Sequence, residues 1–106
     1  MAGLKRVVIT GMGGVSSLGD DWASISDNFL NNRSGIRYMP EWERFVDLNT
    51  RLGGPITDFS VPTHWTRKQL RSMGPVSKFA VYAAERALIT AGLVDDPCIK
   101  DGRMGA

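Results

Sequence analysis

Few residues in this chain are of the kinds that make and break bonds, and their spacing decides what they can do. Cys98 is the single cysteine and His64 the single histidine. A thiol becomes a nucleophile when a base or a positive helix end lowers its pKa. Cys98 instead stands in an Asp95-Asp96-Pro97-Cys98 turn, with no histidine near it in the sequence. It reads as a free structural thiol. His64 lies in a Pro62-Thr63-His64-Trp65 loop. One ligand makes no metal site, so a surface or interface role is expected for it. The carboxylate pairs Asp20-Asp21 and Asp95-Asp96 fall where helix ends and turns are expected, and capping accounts for them.

Two patterns remain. The first is Arg6-Val7-Val8-Ile9-Thr10-Gly11-Met12-Gly13-Gly14-Val15-Ser16-Ser17-Leu18-Gly19, an apolar run entering a glycine-rich turn. A dinucleotide fingerprint needs G-x-G-x-x-G, and Ser16 occupies the third glycine position. No acidic residue closes a second strand about 20 residues on. No Gly-Lys-Ser/Thr follows either, so a P-loop also fails. The glycines are expected to let the backbone turn tightly and pack closely against neighbours.

The second pattern is a charge bias. Between Asp58 and Glu85 there is no acidic residue, while Arg67, Lys68, Arg71 and Lys78 all fall inside that window. Arg67, Lys68 and Arg71 stand at i, i+1 and i+4, so on a helix they share roughly one face. By themselves they describe a solvated helix face. Nucleic acid is not expected, because Trp65 is the only neighbouring aromatic and the patch is small.

These residues need elements to hold them. Val7-Val8-Ile9 reads as a strand buried on both faces of a parallel sheet. Asp20 or Asp21 can cap a helix carrying Trp22, Ile25 and Phe29, which Asn31, Asn32 and Gly35 end. Residues 36–66 are irregular, with a short helix expected within Glu41–Leu48 and a short strand within Gly54–Phe59. Thr63 or Thr66 can cap a brief basic helix over 66–72. Pro75 suits the first turn of a long alanine-rich helix over 75–91, with Gly92 as its left-handed stop. Its stripe of Val76, Phe79, Ala80, Ala83, Ala84, Ala87, Leu88 and Ala91 predicts deep burial against closely approaching neighbours.

Bulk properties set the frame. With 106 residues, 42% hydrophobic and 23% charged, the chain is of ordinary soluble composition and near the size of one domain. A net charge of +2 is too mild to imply nucleic acid. No apolar run approaches the roughly 20 residues of a membrane helix. The start lacks a signal-peptide h-region, and the lone cysteine fits a reducing compartment, so a cytoplasmic protein is expected. Alternating strand and helix make the class α/β. One confident strand and one proline-led candidate leave the sheet short of members, because a buried strand needs hydrogen-bonding neighbours on both edges. A fragment, or a chain that needs a partner, is the expectation.

The ordered motifs resemble a known family. RVVITGMGGVSSLG, then a helix and Arg33-Ser34-Gly35-Ile36, resembles the amino terminus of the β-ketoacyl-acyl-carrier-protein synthases, condensing enzymes of the thiolase-like layered αβαβα fold. Leu48 to Phe59 resembles the segment leading into that family's basic helix, and Met73 to Leu93 its long alanine-rich helix. Asp101 to Gly105 is similar to the approach to its next core strand, within 101–106. Ser17 departs from a common proline and Ser72 from a common basic residue.

The resemblance implies a decarboxylative Claisen condensation in fatty-acid or polyketide synthesis. A cysteine takes the acyl chain from the phosphopantetheine arm of an acyl carrier protein, with histidines assisting. None of those catalytic residues maps onto these 106 positions, so no catalysis is expected from this piece alone. No metal or organic cofactor is implied, since the pantetheine arrives on the carrier. What does map is the basic helix: in the family such residues grip the acidic carrier surface, a role that the resemblance assigns to Lys68, Arg71 and Arg67. A homodimer is implied for the parent. The other reading is a non-catalytic subunit like the chain-length factors, paired in a heterodimer with an active synthase.

Overall fold

A computed structural model describes residues 3–105. In chain order the elements are α1 (Trp22–Leu30), β1 (Arg37–Tyr38), a 3₁₀ turn (Pro40–Arg44), β2 (Leu52–Gly53), α2 (Arg67–Arg71), α3 (Pro75–Ala91) and a second 3₁₀ turn (Pro97–Ile99).

Local chemistry explains the helix ends. Asp21 is extended, and its carboxylate accepts the Ser24 N–H at 2.7 Å and the Ser24 hydroxyl at 3.0 Å. Those bonds favour the ionised form and hold the Asp21 carboxyl below its ordinary value of 3.8. A carboxylate depressed in this way stabilises the folded chain above its unfolded pKa. That contribution is lost as pH falls through the lower folded value. Exchange protection of the Ser24 amide is therefore expected to be flat from about pH 5 to 8 and to drop below about pH 4. Asp21→Asn keeps a good cap without a titrating group, so its profile should stay flat into acid. A profile in the Asn variant matching the wild type would contradict this origin.

Helix α3 opens with Pro75 at its first position and closes at Gly92, whose φ of 74° is left-handed. The Leu93 N–H then folds back to the Leu88 carbonyl at 2.9 Å, satisfying one of the helix's last acceptors.

The segment expected to be a doubly buried strand differs. Residues 6–13 form no regular element, no described segment pairs with them, and Val7 and Ile9 are 92% and 83% exposed. Their β-branched side chains favour a strand, while the ladder needs strands that these residues do not supply. The strand expected within Gly54–Phe59 is also displaced. The ladder forms two residues earlier, antiparallel, with Arg37 opposite Gly53 and Tyr38 opposite Leu52. Pro55 has no N–H to give, so pairing stops before it. The helix expected within Glu41–Leu48 is the 3₁₀ turn Pro40–Arg44.

Helix α3 takes its contacts from irregular segments, chiefly residues 6–13 and Phe59. Phe59 meets Phe79 and Tyr82 edge-on, with ring centroids 5.0 and 5.2 Å apart. The 6–13 segment crosses its alanine face. A Cβ on Gly13 would collide with the Ala83 carbonyl, and one on Gly11 with that of Ala87. The glycines are there for close approach to the helix backbone.

Deep burial of α3 is not what the chain achieves, however. Phe79, Ala83, Ala87, Leu88 and Ala91 are half-buried, whereas Val76, Ala80 and Ala84 are exposed. Among the described residues only Met39 and Trp65 are buried. The accessible surface is 8877 Å², against about 5,800 Å² for a closed monomer of this mass. The radius of gyration is 18.2 Å, against about 13 Å for a compact domain of this length. The chain is open. Residues 101–105 form a turn and an irregular stretch, and Ala106 lies outside the described residues.

Candidate functional site

The chemistry-bearing groups do not converge. The amide of Cys98 donates to Asp96 Oδ1 at 2.9 Å, and the Asp96 carboxylate beside the thiol pushes it above the ordinary cysteine range. The other charges acting on it are Arg103 and Asp101, and no imidazole is among them. This is the opposite of an activated nucleophile. Alkylation of Cys98 by iodoacetamide at pH 7.5 is expected to be slower than that of a free thiol compound and to speed up in Asp96→Asn. Rapid labelling of the unmodified chain would contradict this environment.

The glycine-rich turn is no phosphate cradle either. It borders two hollows, one lined by Ser16, Ser17 and Gly19 with Asp20 and Asp58 and no lysine or arginine, the other at Gly13 and Gly14 lined by Asp20, Asp21 and Arg86. Carboxylates that outnumber the cation disfavour a phosphate. Ser17 fills the space between Gly35 and Gly54, where a Cβ on either glycine would meet its side chain. Asn28 ties the turn to α1 by donating to the Leu18 carbonyl at 2.7 Å. These bonds and contacts give the turn a packing role.

The basic residues do come together. Thr66 caps α2 with a reciprocal box: its hydroxyl accepts the Gln69 N–H at 3.2 Å, and its own N–H donates to Gln69 Oε1 at 2.9 Å. Arg67, Lys68 and Arg71 occupy this one short helix and are all exposed. Lys68 and Arg71 lie in its last turn, where cations complement the helix dipole. Among the described residues none of the three is paired with a carboxylate. Three unpaired cations on a capped helix form a surface suited to an acidic partner.

Trp65 and His64 precede the cap and are fastened to α3. The indole N–H of buried Trp65 donates to Glu85 Oε2 at 2.9 Å. His64 Nε2 lies 2.6 Å from Glu85 Oε1. In the sequence Glu85 appears only as the end of an acid-free window. Nothing local announces its contact with residues twenty positions away.

Comparison with known proteins gives this surface a context. The family model described as Beta-ketoacyl synthase, N-terminal domain, matches residues 4–106. The chain is 33% identical over 100 residues to a 3-oxoacyl-[acyl-carrier-protein] synthase 1 of Haemophilus influenzae, covering 92% of this chain and 24% of that protein. It is 36% identical over 92 residues to the chloroplastic 3-oxoacyl-[acyl-carrier-protein] synthase I of Arabidopsis thaliana, covering 87% of this chain and 19% of the relative. A crystal structure of a beta-ketoacyl synthase from Burkholderia phymatum superposes with a TM-score of 0.85 at 51% identity, covering 96% of this chain and 25% of that one. The chain thus spans about a fifth to a quarter of the length of these relatives. Its open, partly covered architecture is α/β and follows the opening portion of the thiolase-like fold. On its sequence and its backbone, the chain belongs to the beta-ketoacyl synthase family, within the amino-terminal domain of that family.

Proposed function

We propose that these residues form the amino-terminal part of a 3-oxoacyl-[acyl-carrier-protein] synthase, and that α2 is where the acyl carrier protein docks. The observation that supports this most is the exposed helix α2, carrying Arg67, Lys68 and Arg71 with no carboxylate among the described residues paired to them. In the complete enzyme we place the condensing thiolate and its histidines in later sequence, because the Asp96 carboxylate raises the pKa of the Cys98 thiol and no imidazole acts on it. The part played here is recognition: the cations attract an acidic carrier and set the orientation from which its pantetheine arm reaches the reacting centre.

Exposed charges of this kind act over about 10 Å at 0.1 M salt. The association rate of the complete enzyme with its carrier should therefore fall steeply between low ionic strength and about 0.5 M. Stopped-flow fluorescence with a labelled carrier measures it. A rate independent of salt would count against docking on α2.

The exposed Val7, Val8 and Ile9, and the uncovered Val76, Ala80 and Ala84 on α3, belong in this reading to surfaces that later parts of the enzyme cover. Pairing with a second synthase subunit, active or inactive, is compatible with the same docking surface.

A further inference from the structure

Helix α2 is five residues long, too short to hold its own conformation or its own position. Its charged side chains point to solvent, so its placement must come from its flanks. On one flank Met73 and Gly74 lead directly into α3. On the other, the residues just before the cap meet one carboxylate. Trp65 is only 8% exposed, and its indole N–H reaches Glu85 Oε2 at 2.9 Å. His64 Nε2 stands 2.6 Å from Glu85 Oε1.

A buried indole N–H requires an acceptor, and a neutral carbonyl would satisfy it. The structure uses a half-buried carboxylate instead, and divides its two oxygens between consecutive side chains. A charged acceptor makes the stronger bond, and the close approach of His64 to the second oxygen holds the same carboxylate from another side. Glu85 sits two turns from the end of the longest helix in the chain. It therefore ties the entry to α2 to the same column that carries the glycine segment.

We propose that Glu85 is a positioning residue for carrier docking: through Trp65 and His64 it sets the height and angle at which α2 presents Lys68 and Arg71. The proposal rests on the docking reading above, and it assigns Glu85 no contact with the carrier itself.

The test uses the complete enzyme, assayed with an acyl-carrier substrate and with the corresponding small pantetheine thioester. Glu85→Ala is expected to raise KM for the carrier substrate about tenfold, while kcat/KM for the small thioester stays within about twofold. Glu85→Gln retains an acceptor for the indole and should recover most of the carrier KM. Trp65→Phe keeps an aromatic ring in place but removes the N–H, so it should move the carrier KM in the same direction by a smaller factor.

An unchanged carrier KM in Glu85→Ala would overturn the proposal. So would a parallel loss with both substrates, which would mean a general structural role. If Glu85→Ala is not recovered folded, Trp65→Phe decides on the same two criteria. Lys68→Glu/Arg71→Glu, measured alongside, separates the two levels. If that double variant leaves the carrier KM unchanged, the docking reading fails and this proposal with it. If the double variant raises the carrier KM while Glu85→Ala does not, only the positioning role is lost.

Discussion

Reversing both Lys68 and Arg71 to glutamate in the complete enzyme is expected to weaken acyl-carrier binding by about ten- to a hundredfold at low salt. Each substitution replaces an attraction with a repulsion on an exposed helix face, where no carboxylate among the described residues is left unpaired by the change. The effect should appear mainly in the association rate and should shrink towards nothing as salt rises, because a Debye length of about 3 Å at 1 M silences exposed charges. On the function proposed above, reactivity of the condensing cysteine towards a small electrophile should be unaffected by the change. Arg67→Glu, which reverses one charge rather than two, should have a smaller effect. A double variant that binds the carrier as the unmodified enzyme does, at low salt, would remove α2 from the docking surface.

The second large effect is on stability. Gly13→Ala places a methyl group against the Ala83 carbonyl and within 3.0 Å of the Ala87 nitrogen. These are backbone atoms of a helix, which cannot swing aside as a side-chain tip can. Overpacking of that kind costs about 1–3 kcal/mol. For a protein about four times the length of this chain, as its relatives are, that corresponds to a fall in Tm of about 1–3 °C, at about 1 °C per kcal/mol. The neighbouring Gly14 supplies the control: a Cβ there meets nothing within 4 Å. Gly14→Ala should therefore leave Tm within about half a degree. Equal behaviour of the two variants in scanning calorimetry of the complete enzyme would contradict the close crossing of residues 6–13 over α3. Neither Gly11 nor Gly13 has a positive φ, so the requirement is for space rather than for an unusual backbone angle.

That distinction shows what could be read in the sequence. Residues acting on their own neighbourhood were legible: Asp20 or Asp21 and Thr63 or Thr66 as caps, of which the structure uses Asp21 and Thr66, Pro75 at the first turn of α3, and Gly92 in the left-handed region after it. Close packing by the glycines was legible as a role, because no complete phosphate motif competed with it. The partner was not: Gly13 touches Ala83, seventy residues later, and no local pattern encodes that pairing. The covered side of α3 was equally hidden. Its stripe of small and apolar residues is wide enough to serve several neighbours, and only the half facing Phe59 and the glycine segment is used within these residues.

The strands were the weakest reading. A β-branched run such as Val7-Val8-Ile9 signals extended backbone, but pairing depends on segments elsewhere. Pro55 marked the end of a ladder rather than the start of one. In the candidate site, the three cations on one short helix were visible from spacing, with its cap left between Thr63 and Thr66, and their role came only from the resemblance. Glu85 was not, because its function lies in a contact with Trp65 and His64 that only the folded chain creates.

The most direct measurement on carrier docking is a charge swap. The Lys68→Glu/Arg71→Glu enzyme is paired with a carrier protein whose acidic surface residues have been changed to lysine, and the dissociation constant is measured at low salt. Recovery of most of the affinity lost with the unaltered carrier is the expected result. Binding that stays as weak as before the swap would contradict docking of the carrier on α2.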